Sequence, residues 1–173
     1  MPSQSQNSAL GAFLKALQHE KIDHILIGAM AAIRHGAPLT TIDYDFWVDL
    51  PERQYVRLLP IVQRLGGTIR AQTVYELSDD TQVNAVFRPD GLRAFRTERK
   101  ISRIGKIDGV PVPILPLARV IASKRAANRD KDIAVIPVLE RTLRLANGLK
   151  RLPAKTKREE IKPNLAQCQE RTG

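Results

Sequence analysis

Two aspartates, Asp43 and Asp45, stand two residues apart in the run from Thr41 to Val48, which is otherwise rich in β-branched and aromatic residues. Asp is depleted from strands, and successive strand side chains alternate between faces, so both carboxylates point the same way. Two hard oxygen ligands on one face can hold Mg²⁺ while substrate phosphates and water complete its octahedron, an arrangement suited to phosphoryl transfer. A solvent-facing polar stripe, with Tyr44 and Phe46 packed inward, explains the pair equally well. Upstream, the apolar run from His24 to Ile27 ends at Gly28, and Ala29 to His35 is alanine-rich and helix-favouring. Backbone N–H groups at such a turn could meet a triphosphate. A lone glycine after a strand is more often only a turn, so the informative pattern is the combination of turn and paired aspartates.

The remaining elements follow from periodicity and punctuation. Ser8 can cap a helix whose apolar positions Leu10, Phe13, Leu14 and Leu17 repeat at three and four. Pro51 opens a helix with its apolar face on Tyr55, Leu58, Leu59, Val62 and Leu65, ended by Gly66 and Gly67. Thr73 to Leu77 and Gln82 to Phe87 read as a hairpin, and a two-residue turn at Asp79 and Asp80 pairs Glu76 with Val83 and turns Glu76 away from Asn84. Beyond Pro89, Asp90 and Gly91 a short helical segment runs to Glu98. Ile101 to Ile107 and Val110 to Ile114 form another strand pair around Asp108 and Gly109, with Pro111 and Pro113 pushing the second strand to an edge. Two helices close the fold, one on Leu117, Val120 and Ile121, the other starting near Asp130. The expected fold class is α/β (α+β): a small mixed, mostly antiparallel sheet flanked by helices, with C-terminal helices.

Composition limits what such a fold can be doing. The 173 residues are one domain's worth, and 43% hydrophobic with 27% charged residues excludes wholesale disorder and a disulfide scaffold. No apolar run approaches the ~18 residues of a membrane span, and the N-terminus has no basic leader, so a cytoplasmic location without membrane partners is expected. The single cysteine, Cys168, excludes an internal disulfide and a multi-cysteine zinc site. A net charge of +10 points to polyanionic partners or anionic substrates. Residues 150–173 account for +4 of it and hold few large apolar groups. The expected organisation is therefore a domain over 1–148 and a basic, flexible tail over 149–173.

The order of turn, short helix and Asp-x-Asp strand resembles the nucleotidyltransferase superfamily, and GAMAAIRHGAPLTTIDYDFWV looks like the minimal and AbiEii-type toxin nucleotidyltransferases of bacterial toxin–antitoxin systems. The stretch Ser123 to Asp132 resembles a later helical motif of that group, and the likeness spans residues 10–145. It implies Mg²⁺-dependent transfer of a nucleoside monophosphate from a nucleoside triphosphate such as ATP, with one or two metal ions, to a protein or RNA acceptor. A cognate antitoxin or toxin is the implied partner. Carried over by position, Gly28 and Ala29 match the phosphate turn and Asp43 and Asp45 the metal pair. Lys124 matches a basic residue near the triphosphate, and Arg129 and Asp132 belong to the last motif. On their own, Lys124, Arg129 and Lys131 read as ordinary surface cations on amphipathic helices. His35 and Gly36 match a recurrent His-Gly, but a histidine closing a short helix is more often structural, and it stays outside the catalytic set.

Three positions depart from the group. Ala29 stands where Gly or Ser is usual, Leu39 where Arg is frequent, and Asn84 where a third acidic residue would complete the set. An amide carries no charge and accepts no proton as a general base. Two readings follow: an active nucleotidyltransferase using Asp43, Asp45, Asn84 and Lys124, or a catalytically weakened domain that binds nucleotide, RNA or a partner. A basic RNA-binding domain unrelated to triphosphates ranks last, because 5% aromatic content offers no stacking platform.

Overall fold

The computed structural model describes residues 8–151. Helix α1 (Ala9–His19) starts where Ser8 Oγ accepts the Gly11 N–H at 2.9 Å, and it buries Leu10, Phe13, Leu14 and Leu17. Strand β1 (His24–Ile27) is buried along its length and runs into α2 (Gly28–Arg34). Strand β2 (Asp43–Val48) follows, buried over its last three residues. The helix expected from Pro51 is instead a 3₁₀ segment, Glu52–Arg57, followed by α3 (Leu59–Arg64). Pro60 has no N–H to continue an α-helix from the preceding turn, so the α-helix begins afresh around it.

Strands β3 (Thr68–Ala71), β4 (Val74–Glu76) and β5 (Gln82–Val86) come next, then α4 (Phe95–Ile101), β6 (Arg103–Ile107) and β7 (Val110–Ile114). Helices α5 (Leu117–Ala127) and α6 (Asp130–Arg151) complete the chain described. The helix after Gly91 thus starts later and ends later than its sequence suggests. One seven-stranded sheet has the order β3-β4-β5-β2-β1-β7-β6. Four of its neighbouring pairs are antiparallel, while β2–β5 and β1–β7 are parallel, giving the expected mixed, mostly antiparallel sheet. Helix α1 packs on α3, while α2 packs on α5, which carries α6.

Three expectations are corrected. Strand β3 is an unforeseen edge strand. Strand β7 lies inside the sheet between β1 and β6, not at an edge. Its prolines are tolerated because Pro111 and Pro113 face Lys106 and Ile104 at non-hydrogen-bonded positions of the β6 ladder. Their missing donors fall on the side towards β1, where pairing is confined to Leu26 and Ile114. The hairpin β4–β5 turns through three residues, with Asp80 left-handed at φ +63°, so Glu76 pairs with Gln82 and Tyr75 with Val83. Glu76 consequently shares a face with Asn84, but Arg70 holds it in a salt bridge at 2.5 Å, one strand farther out. Helix α6 continues through Gly148 to Arg151, and the rest of the expected tail lies outside the described residues. Among the described residues no helix is long and apolar enough to cross a membrane.

Candidate functional site

The parallel pairing of β2 with β5 sets Asp45 directly opposite Asn84 and Asp43 opposite Gln82. Because Asp43, Asp45 and Asn84 share one face, a single amide can reach both acids. Asn84 Nδ2 donates to Asp45 Oδ1 at 2.8 Å and to Asp43 Oδ2 at 3.1 Å. The Thr41 hydroxyl donates to the other oxygen of Asp43. The two carboxylates therefore converge on one point, where the amide nitrogen now sits.

Gly28 explains how this face stays open to β1. Its φ is +67°, and a Cβ there would lie 2.1 Å from Asp45 Oδ2, so a left-handed turn without a side chain is required on both counts. No side chain caps the first turn of α2. Burial pushes the Asp45 carboxyl above its ordinary value; the Asn84 hydrogen bond opposes this, the Asp43 charge adds to it, and Lys124 and Lys131 pull it back. Asp45 is thus a carboxylate held in an environment that disfavours its charge.

The opposite wall comes from the corner between α5 and α6, where Asn128 adopts a left-handed conformation with φ +50°. That corner folds Asp132 back beneath α5. Lys124 Nζ lies 2.7 Å from Asp132 Oδ1, and Arg129 Nε lies 2.5 Å from Asp132 Oδ2. Asp132 is 1% exposed. Burial opposes its ionisation, but the hydrogen bonds from Lys124 and Arg129 outweigh that and hold the carboxyl below its ordinary range.

Asp45, Lys124, Arg129 and Asp132 stand between two chambers of one cleft. One, of about 190 Å³, adds Gly28, Arg88, Asp90 and Ser123 to an apolar lining that includes Ile27, Val86, Pro89, Leu115 and Val120. The other, of about 370 Å³, adds Ala29, Thr41, Asp43, Asn84 and Lys131. All eight candidate residues from the sequence therefore line this cleft. Sequence reasoning passed over Thr41, Arg88 and Asp90, single polar residues in loops with no spacing signal. His35 lies outside, its ring Nε2 2.9 Å from the Leu115 carbonyl.

A second buried carboxylate places the loop that carries Arg88 and Asp90. Glu98 is fully buried and takes the Arg93 N–H at 3.0 Å and Arg119 Nη2 at 2.7 Å. Arg119 Nη2 also donates to the Gly91 carbonyl at 3.1 Å. Gly91, at φ +66°, lies so close to α5 that a Cβ would meet Ala126 Cβ at 2.6 Å.

The architecture is that of a nucleotidyltransferase-like fold. The chain is similar to the crystal structure of ANT(2″)-Ia in complex with adenylyl-2″-tobramycin, at 18% identity and a TM-score of 0.53, over 81% of this chain and 90% of that one. It is also similar to the solution structure of the antibiotic-resistance factor ANT(2″)-Ia, at 15% identity and a TM-score of 0.51, over 90% and 97% of the two chains. These structural neighbours are nucleotidyltransferases. No family profile and no curated protein matches the chain.

Proposed function

We propose that this protein transfers a nucleoside monophosphate, from ATP or another nucleoside triphosphate, to a protein or RNA acceptor. The observation that carries this reading is the convergence of Asp43 and Asp45 on the Asn84 amide, within 3.1 Å of one atom. Among the described residues no group of three or more His, Cys, Asp or Glu side chains converges, so the charged donors are the two carboxylates, and Asn84, which turns its N–H towards them, would add its carbonyl oxygen only after an amide flip. That set fits Mg²⁺, which is bound through one or two carboxylates with substrate phosphates as co-ligands. A metal held there would neutralise charge on the transferring phosphate. Lys124 and Arg129 stand opposite, where they can meet the triphosphate once Asp132 shares them. The adenylylated product bound to one structural neighbour supports nucleotidyl transfer as the reaction class.

In this reading the apolar chamber receives the nucleoside, since binding sites for such groups are mostly apolar with a few placed polar groups. The phosphates then pass between Asp45 and Lys124, and the acceptor approaches from the chamber of Asn84. A toxin–antitoxin setting, with a cognate partner, is part of the proposal and rests on the sequence resemblance alone. The second reading, a binding module with weakened catalysis, is favoured by one observation: Asn84 offers no negative charge and no base. Titration with each nucleoside triphosphate, with and without Mg²⁺, followed by a transfer assay on a cell-extract acceptor pool, tests both. Metal-dependent binding with transfer of label is the expected result. Metal-dependent binding without transfer supports the binding module, and no metal-dependent binding overturns the enzyme and any module that binds nucleotide.

A further inference from the structure

In the acceptor chamber every carboxylate is already committed. Asp43 and Asp45 converge on the metal position, and Asp132 is tied to Lys124 and Arg129. Where a base for an incoming hydroxyl would stand, Asn84 presents an amide. Glu76 is held by Arg70, and Asp90 lines the neighbouring chamber instead. A hydroxyl acceptor would forgo the ~10²- to 10⁴-fold that a positioned general base supplies. An acceptor whose attacking oxygen is already ionised has no such need.

The cations point the same way. Besides the two held by Asp132, each chamber has one of its own: Arg88 beside the apolar lining and Lys131 beside Asn84. Among the described residues neither makes a salt bridge. With the triphosphate between Asp45 and Lys124, Lys131, exposed and acting on Asp45 only through its field, can turn to a second anion.

Resting on the nucleotidyl-transfer reading but departing from its protein acceptor, we propose that the acceptor is a phosphate monoester, carried by the end of an RNA or by a small metabolite. A phosphate monoester has its second pKa near ~6 and is largely a dianion at neutral pH. Its oxygen forms the new bond to the α-phosphorus, the bond from that phosphorus to the β-phosphate bridging oxygen breaks, and pyrophosphate leaves with the electron pair. No proton has to be removed. The product is a phosphoanhydride, one nucleoside monophosphate longer than the acceptor. In-line displacement of this kind asks the protein for positioning and charge stabilisation.

The test uses the full chain with Mg²⁺ and α-labelled nucleoside triphosphates. Acceptors are an oligoribonucleotide with a 5′-phosphate, the same one with a 5′-hydroxyl, a nucleoside 5′-monophosphate, and the nucleoside. Labelling of the phosphorylated members by ~10²-fold or more over their hydroxyl counterparts is expected, and the two phosphorylated probes distinguish a nucleic acid from a small metabolite. Mass spectrometry should find the new bond cleavable by a phosphoanhydride hydrolase. Lys131→Ala should weaken equilibrium binding of the monophosphate more than that of the triphosphate. Asn84→Asp should shift labelling towards the hydroxyl acceptors. Equal labelling of both members of a pair, or absence of transfer, overturns the inference. In each of those cases Mg²⁺-dependent triphosphate binding decides separately whether the nucleotide site itself stands.

Discussion

Two carboxylates in this protein, the buried Glu98 and the half-buried Asp45, are compensated in opposite ways. Glu98 is fully buried, yet burial is outweighed by hydrogen bonds from Arg119 and Arg93, and its carboxyl lies below the ordinary value of 4.5. Among the described residues Asp45 has only the Asn84 amide as hydrogen-bond donor, with Asp43 beside it, and its carboxyl lies above the ordinary value of 3.8. The first is a satisfied ion pair that fastens the loop of Arg88 to α5. The second belongs to a pair of acids whose charge the Asn84 amide, Lys124 and Lys131 only partly offset, which is where the proposed reading puts a cation. Burial by itself therefore does not single out a candidate functional acid; incomplete compensation within a cleft does.

The contrast breaks most visibly at the metal pair. Asp43→Asn and Asp45→Asn should each abolish Mg²⁺-dependent triphosphate binding, by ~100-fold or more, as read by calorimetry. Neither should lower thermal stability, because removing one acid relieves repulsion with the other. If both variants bind like the parent, the site lies elsewhere. At the satisfied cluster the sign reverses. Arg119→Ala leaves a buried carboxylate short of its main partner and should cost about 3 to 5 kcal/mol in denaturant unfolding. A loss below ~1 kcal/mol would mean that Arg93 and water suffice.

A smaller effect is expected at the turn. Gly28→Ala must either strain a backbone at φ +67° or displace Asp45, costing about 1 to 3 kcal/mol and weakening Mg²⁺ binding together. Loss of stability with metal affinity unchanged would separate the turn from the site. The smallest effect is in pH dependence. A carboxyl raised in the folded state stabilises most below its unfolded value and loses that contribution as pH rises through its folded value. Without metal, Asp45→Asn should therefore raise the melting temperature by a few degrees at neutral pH, and the gain should fade towards the ordinary value of 3.8. For Glu98 the linkage runs the other way: its contribution is present above 4.5 and is lost on acidification. A gain for Asp45→Asn that grows on acidification would contradict this account.

Much of this was legible in the chain, for identifiable reasons. The apolar spacing of α1, the turn at Asp108 and Gly109, and the break before Asp130 are local signals, and the elements they announce are present. Strand alternation put Asn84 on one face with Gln82 and Val86, but its place beside Asp43 and Asp45 came from the family likeness, because it depends on the long-range pairing of β2 with β5. Strand β3 was missed because Thr68 to Ala71 is largely exposed at a sheet edge and shows no buried alternation. The position of β7 was misread because proline content alone does not say which side of a strand faces the partner that needs its donors. Lys124, Arg129 and Asp132 came from the family likeness, since their pairing depends on the left-handed corner at Asn128. Arg88 and Asp90 gave no signal, because Glu98 and Gly91 fix their loop through contacts remote in sequence.

The parallel pairing of β2 with β5 also has a kinetic side. Asp45 and Asn84 are 39 residues apart, so their contact closes a long loop at an entropic cost of about 3 kcal/mol, before any neighbouring strand rewards it. The helices and hairpins can form earlier from local contacts, but none of them contains a working metal pair. The proposed Mg²⁺-dependent nucleotide binding would thus require the finished chain topology, and its appearance during refolding would time the closing of the sheet's centre.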